Sequence, residues 1–271
     1  MPDVSYLAHH GTKGMKWGVW NDETRKRYLK LHTKTLPKGT ELKRITNVKE
    51  AKNLDFSRSM YATKDEKSHA AYKLLSIPSI DGEKEAAILS MRLSKESRYA
   101  DGETAVTLAL EDSLGKSLSS FEESSLSKTM RNDSTASKDF SEDAHDFISS
   151  YIDKYGDAKI KTVLNSSFKD LNPERMKQAR YVVWFAVNGS VGSFSNKFDQ
   201  KAYRDKMKAY GFDVIADPED YLDNFNEITK NIKDPLIVLN PNETVDKNVS
   251  SRIVSVREME KEGAKTLKGR K

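Results

Sequence analysis

Histidine, the side chain best suited to acid–base work near neutral pH, occurs five times in this 271-residue chain, at His9, His10, His32, His69 and His145. Only His9 and His10 are neighbours, and adjacent histidines with no carboxylate or third ligand close by make a poor metal site, so no metal is expected. The other three are isolated and need no part in chemistry. Cysteine is absent, which excludes disulfides, a thiolate zinc site and a cysteine nucleophile. There is no phosphate-binding loop, dinucleotide glycine fingerprint, paired-histidine zinc helix or nucleophile elbow. The polar candidates that remain are Arg44, Tyr61 and Thr63, with Glu227, Asp234 and Glu243 late in the chain. Each of the first three also has a plain structural explanation. Arg44 on a strand snorkels or pairs with an acid, Thr63 caps a helix, and Tyr61, like Trp184 and Tyr210, is of a type usually found in cores.

The other concentration of unusual residues is a leader, Leu7-Ala8-His9-His10-Gly11-Thr12-Lys13-Gly14-Met15-Lys16-Trp17-Gly18-Val19. Met15 and Trp17 are bulky apolar groups on a glycine-flanked segment that makes no core of its own. It reads as a docking peptide with Trp17 as anchor, and with His10, Lys13 and Lys16 beside it. The alternative is that it folds back on the parent domain as packing.

The elements that must position these residues follow from pattern. Glu23 to His32 suggests a short basic helix before Pro37 and Gly39. Strands are expected at Glu41–Thr46 and Ser59–Ala62. Thr63 and Glu66 have the spacing of a capping box, opening a helix with Ala70, Ala71, Leu74 and Leu75 inward. Ala87, Leu89, Met91 and Leu93 alternate as in a half-buried strand. Residues 113–141 are rich in serine and charge and read as a mobile insertion. Helices are expected around Ala144–Tyr155 and from Pro173 to Val187, and a third opens at Asp199 and stops at Gly211. The chain then predicts strands at Phe212–Ile215, Leu236–Leu239 and Arg252–Val256. Strands at both ends enclosing helices indicate an α+β domain.

Composition suits one core with long decorations: 37% of residues are apolar and 32% charged. No run approaches the roughly 20 apolar residues needed to cross a bilayer, and the first ten residues lack the charged and apolar parts of a secretion signal. Lysine and arginine total 46 against 41 acidic residues, a net charge of +5. The basic end (Lys261, Lys265, Lys268, Arg270, Lys271) could touch phosphates, but Glu258, Glu260 and Glu262 dilute it. It reads as a solvated tail without sequence-specific nucleic-acid binding.

The leader closely resembles the His-His-Gly-x-Lys-Gly-Met-Lys-Trp-Gly-Val motif of phage and prophage proteins of Gram-positive hosts, where it sits in or beside head and portal proteins. Members usually continue with two arginines, whereas here Val19 is followed by Trp20. Asp22–Tyr28 still resembles the basic helix that comes next. Residues 38–256 resemble a phage family similar to the ADP-ribosyltransferase fold. Lys38-Gly39-Thr40-Glu41-Leu42-Lys43-Arg44 resembles its opening strand, whose arginine holds NAD phosphate or ribose. Met60-Tyr61-Ala62-Thr63 resembles its aromatic-x-Ser/Thr strand. Tyr210–Ile215 and Pro235–Pro241 resemble its closing strands. In active members a closing-strand glutamate bonds the ribose 2′-hydroxyl; here that place holds Asp234-Pro235, with Glu227 and Glu243 outside the strand.

The resemblance implies an ADP-ribosyltransferase-like mixed sheet with flanking helices, preceded by a flexible N-terminal leader. Residues 1–36 are expected as leader plus basic helix, 37–257 as the α+β domain, and 258–271 as a disordered basic tail. The function implied is that of a bacteriophage head-associated accessory protein docking on head or portal proteins without catalysis or cofactor. The alternatives are an NAD-dependent ADP-ribosyltransferase effector acting on a host protein, with Arg44, Tyr61, Thr63 and Asp234 as its site, and an inhibitor of a host defence factor. Virion or host cytoplasm is the location implied.

Overall fold

The computed structural model describes residues 20–75, 82–115, 187, 197–218, 221, 233 and 235–269. Of the insertion expected at 113–141, residues 113–115 are instead the end of a helix; the rest of it, the helix at 144–155, nearly all of that at 172–187, the leader to residue 19, Glu227 and Asp234 lie outside the described residues.

Two antiparallel-rich sheets form the centre. Strands β1 (Lys34–Leu36), β5 (Ser97–Ala100), β6 (Val214–Ala216), β7 (Leu236–Val238) and β3 (Met60–Ala62) make a five-stranded sheet in the order β1-β5-β6-β7-β3. Only the β5–β6 pair is parallel. Strands β2 (Glu41–Asn47), β4 (Glu85–Arg92) and β8 (Ser250–Ser255) make an antiparallel three-stranded sheet with β4 in the middle. The architecture is therefore a mixed α+β one with flanking helices.

Side-chain alternation along the strands explains how the sheets stack. Leu42 and Met91 from the smaller sheet meet Met60, Ala62, Val214, Ala216, Leu236 and Val238 from the larger one, and this forms the inter-sheet core. Ile45, Ala86 and Ile88 point the other way, onto Ala70 and Met259. These belong to helices α3 (Glu66–Leu75) and α7 (Val256–Lys268), which cover the outer face of the three-stranded sheet. Ile215 and Ile237, buried and turned away from the inter-sheet core, face the side where α4 (Gly102–Gly115) packs on β5 and β6. Helix α5 (Lys197–Ala209) buries Tyr203 and Met207 as its periodicity predicts, and Gly211 ends it at φ +83°.

Four expectations are corrected. Strand β4 is buried on both faces at Ala86–Leu89, because helices cover one side and the second sheet the other. The cap of α3 is Asp65, whose carboxylate accepts the Ser68 amide and hydroxyl at 2.9 Å each. Thr63 is instead a bridge residue. Residues 256–268 are the helix α7, with Met259 and Gly263 buried. Gly263 makes this possible: a Cβ there would lie 2.7 Å from the Ala70 carbonyl oxygen, so only glycine lets the two helices approach so closely. Finally, residues 20–36 belong to the domain. Strand β1 is a sheet edge, and the turn after it carries Gly39 at φ +84°, as a type II turn requires. Helix α1 (Asp22–His32), capped by the Asn21 side chain, is tied down by Arg25, which reaches the buried carboxylate of Glu111 on α4 at 2.5 Å. The α2 helix (Val48–Lys52) and the single-turn α6 (Pro241–Thr244) complete the described elements of regular structure.

Candidate functional site

The two sheets are stitched together where β2 meets β3. Thr63 donates its amide to the Lys43 carbonyl at 2.9 Å and receives the Lys43 amide at 2.8 Å. This bridge brings three residues singled out in the sequence to one place. Arg44 lies on the Leu42 face of β2, toward the inter-sheet core, and its Nη1 donates to the Tyr61 carbonyl at 3.0 Å. Thr63, 1% exposed, donates its hydroxyl to the Asp65 carbonyl at 2.6 Å. Tyr61 lies on the exposed side of β3, and its hydroxyl accepts from Arg204 Nη2 of α5 at 3.1 Å. The same guanidinium sits over the Tyr61 ring, 5.4 Å from its centroid, in cation–π geometry.

Charge around Arg44 is unusual. Burial, the larger cause, holds its pKa below the ordinary arginine value, against the pull of Glu50. Lys73 on α3 is depressed as well, first by burial and then by Arg44 itself, with Glu50 again opposing. Glu50 is held in turn by the Thr46 hydroxyl. Two half-buried cations thus share one acidic neighbour, an arrangement that favours an anion.

His69, also on α3, seals the edge of β2. The Ile45 amide donates to its Nε2 at 3.4 Å, and Nδ1 lies 3.0 Å from the Lys43 carbonyl. An amide only donates and a carbonyl only accepts, which fixes the neutral tautomer with the proton on Nδ1. Burial pushes the ring's pKa down to about 3, with Lys73 and Arg44 adding to the effect. His69 is therefore a structural group in the core.

The carboxylate expected on the closing strand is not supplied by the described residues there. Extending the register Ala62↔Leu236↔Ala216 by one residue sets Pro235 between Thr63 and Asp217. Pro235 is buried, and its carbonyl accepts the Asp217 amide at 2.9 Å. Glu243 lies on α6, past the far end of β7, and is not brought to Thr63. Asp217 is the acid that sequence reasoning missed. It is 5% exposed, and its carbonyl accepts the Tyr221 amide at 3.0 Å. The Asp217-Pro218 pair carried the signal, since an acid followed by proline marks a helix start. Lys73 and Arg204 were missed because only tertiary packing brings them to Arg44 and Tyr61.

Of the leader candidates, His10, Lys13, Met15, Lys16 and Trp17 lie outside the described residues. The first described residue, Trp20, is buried and packs on Tyr28 with ring centroids 4.5 Å apart. Tyr28 is itself buried, which pushes its hydroxyl up to about 12 against the Thr107 and Thr104 hydrogen bonds. Among the described residues no cluster of three or more His, Cys, Asp or Glu is placed to hold a metal. No helix among them is long and apolar enough to cross a membrane. Comparison with protein families, curated proteins and solved structures finds no match to this chain.

Proposed function

We propose that this chain is a head-associated accessory protein of a tailed bacteriophage or prophage, which docks on head or portal proteins through its leader and carries a non-catalytic, ADP-ribosyltransferase-like domain. The observation that supports the absence of catalysis is how the candidate residues are used. Arg44 is bonded to the Tyr61 carbonyl, Thr63 to the Asp65 carbonyl, and Tyr61 to Arg204. Beside Thr63 the register puts Pro235, which has neither a carboxylate nor an amide hydrogen. Transition-state electrostatics usually contribute most to catalysis, so a cleft lacking the acid at this place retains binding at best. Docking is supported by the leader's resemblance and by the anchoring of the chain immediately after it at Trp20.

Two assays test this. Replacing Met15 and Trp17 by alanine should abolish association with purified particles while melting is unchanged; equal incorporation of variant and wild type refutes docking by the leader. Calorimetry should show weak or no NAD binding, and no NAD cleavage above background. The effector-enzyme reading is favoured by one observation, two half-buried cations, Arg44 and Lys73, that share Glu50 as acidic neighbour, which suits a nucleotide phosphate. NAD cleavage by the wild type that Arg44→Ala removes would establish it, with Asp217 and Asp234 the acids to replace next.

A further inference from the structure

The Lys43–Thr63 bridge joins β2 to β3, which leaves β1 and β8 as the outer edges of the two sheets. Strand β1 has three residues and carries an exposed Lys34, two features that discourage a further strand from pairing. Strand β8 is twice as long and has no proline, lysine or bulge, and its one charge, Arg252, is held by Glu66. In the middle of this edge Ile253 is 50% exposed.

The register shows which backbone groups of β8 face outward. Lys43 and Thr63 exchange both hydrogen bonds, so the backbone of Lys43 points away from β4. Alternation along β2 then turns Leu42, Arg44 and Thr46 toward β4, and their partners Met91, Leu89 and Ala87 toward β2. That leaves Ser90, Ile88 and Ala86 to bond Ser250, Arg252 and Val254. The Val256 amide, donating to the Lys84 carbonyl at 3.1 Å, continues the same alternation. Ser251, Ile253 and Ser255 therefore direct their backbone outward, and among the described residues no strand meets them. Ser255 is also the N-cap of α7, whose first turn takes its carbonyl and leaves its amide on the edge.

This outward set, Ser-x-Ile-x-Ser, reads the same in both directions, so an antiparallel copy of the strand matches it about Ile253. We propose that β8 pairs with β8 of a second copy across a twofold axis at Ile253, so that the three-stranded sheet continues from one chain into the other. The two Ile253 residues exchange both backbone hydrogen bonds, and each Ser255 amide donates to the other copy's Ser251 carbonyl. Arg252 then lies opposite the other copy's Val254. A register centred on Arg252 would set two guanidinium groups against each other, and one centred on Val254 would leave Ser251 without a partner. A twofold contact closes on itself, so assembly stops at a dimer. With so few residues on each side the contact belongs among small, transient interfaces, below about 1,200 Å². It involves neither the leader nor Arg44, so it stands apart from the function proposed above.

Sedimentation velocity of the full chain over a concentration series reads the association, and introduced cysteines read its register. The wild type should dimerise reversibly as its concentration approaches about 1 mM, and should form nothing larger. Ile253→Lys, at a half-exposed site, should weaken dimerisation about tenfold or more while melting is unchanged. The chain has no cysteine, so a single thiol reports without background. Hydrogen-bonded antiparallel neighbours have Cα atoms about 5.5 Å apart, which is within disulfide range. Ile253→Cys should therefore form a covalent dimer under mild oxidation. Ser251→Cys should not, because the two copies of that position lie four residues apart along the strands, about 14 Å. A wild type that stays monomeric throughout overturns the proposal, as does growth into larger species or dimerisation that Ile253→Lys leaves unchanged. So does crosslinking of Ser251→Cys as efficient as that of Ile253→Cys.

Discussion

His69 makes a quantitative prediction about acid stability. In the fold its Nε2 must remain an acceptor for the Ile45 amide, because a proton there would set two N–H groups against each other in the core. The folded pKa is about 3 and the ordinary value about 6.5. Between these values the unfolded chain takes up a proton that the folded chain refuses, so stability falls as pH drops. The contribution is fully present above about pH 6.5 and is lost progressively toward pH 3. At 1.36 kcal/mol per pH unit the loss by pH 5 is about 2 kcal/mol. Aspartates and glutamates also begin to titrate there, so the informative quantity is a difference between two proteins. Urea unfolding of wild type and His69→Gln, each at pH 7.5 and pH 5, should show the variant losing about 2 kcal/mol less than the wild type over that interval. Equal losses would refute the reasoning. So would a His69 ring resonance that titrates near the ordinary histidine value in the folded protein.

Gly263→Ala should separate α3 from α7, since the new methyl would meet the Ala70 carbonyl at 2.7 Å and the Leu74 side chain at 2.6 Å. A cost of about 1–3 kcal/mol is expected from overpacking against backbone, and an unchanged melting temperature would contradict it. Arg25→Met should be worse, because it leaves the Glu111 carboxylate, 2% exposed, without its counter-charge. Breaking a buried pair from one side costs about 3–5 kcal/mol. Adding Glu111→Gln to that variant should recover part of the loss in equilibrium unfolding, and no recovery would argue against the pair.

The elements legible in the sequence are those with a local cause. Strand β2, strand β3, the α5 stripe of Tyr203 and Met207, its glycine stop and the closing strands each announce themselves within about ten residues. What failed to show depends on remote partners. The sequence of β4 alternates convincingly, yet its outward residues Ala86 and Ile88 are apolar and are covered by α3, just before the strand, and by α7, more than a hundred residues later. The tail seemed too charged to fold, but its few apolar residues fall on one side: Met259 is buried on the sheet, and Leu267 packs on Ala71. Charge on the remaining faces says nothing about whether one face is buried. Strand β1 has three residues and no pattern to read, and only its pairing with β5 makes it a strand. The candidate site divides the same way. Arg44, Tyr61 and Thr63 lie on or beside strands that the sequence pattern reveals, whereas Lys73 and Arg204 reach Arg44 and Tyr61 only through the fold.

The junction between the two sheets also determines what its polar groups can do. Joining β2 to β3 takes both backbone groups of Thr63 and the amide and carbonyl of Lys43. Holding the turn into α3 takes the Thr63 hydroxyl, and closing the β2 edge takes both nitrogens of His69. Arg44 then spans the seam to Tyr61, and its guanidinium retains further N–H groups beyond the one bonded to that carbonyl. The seam therefore keeps a cationic character, reinforced by Lys73, while the Thr63 hydroxyl and the His69 ring are committed to the backbone. Anion attraction and bond cleavage make different demands: the first needs only charge, the second needs an acid aligned with the reacting bond. The described part of this seam meets the first demand, and on the function proposed above the place that would meet the second holds Pro235.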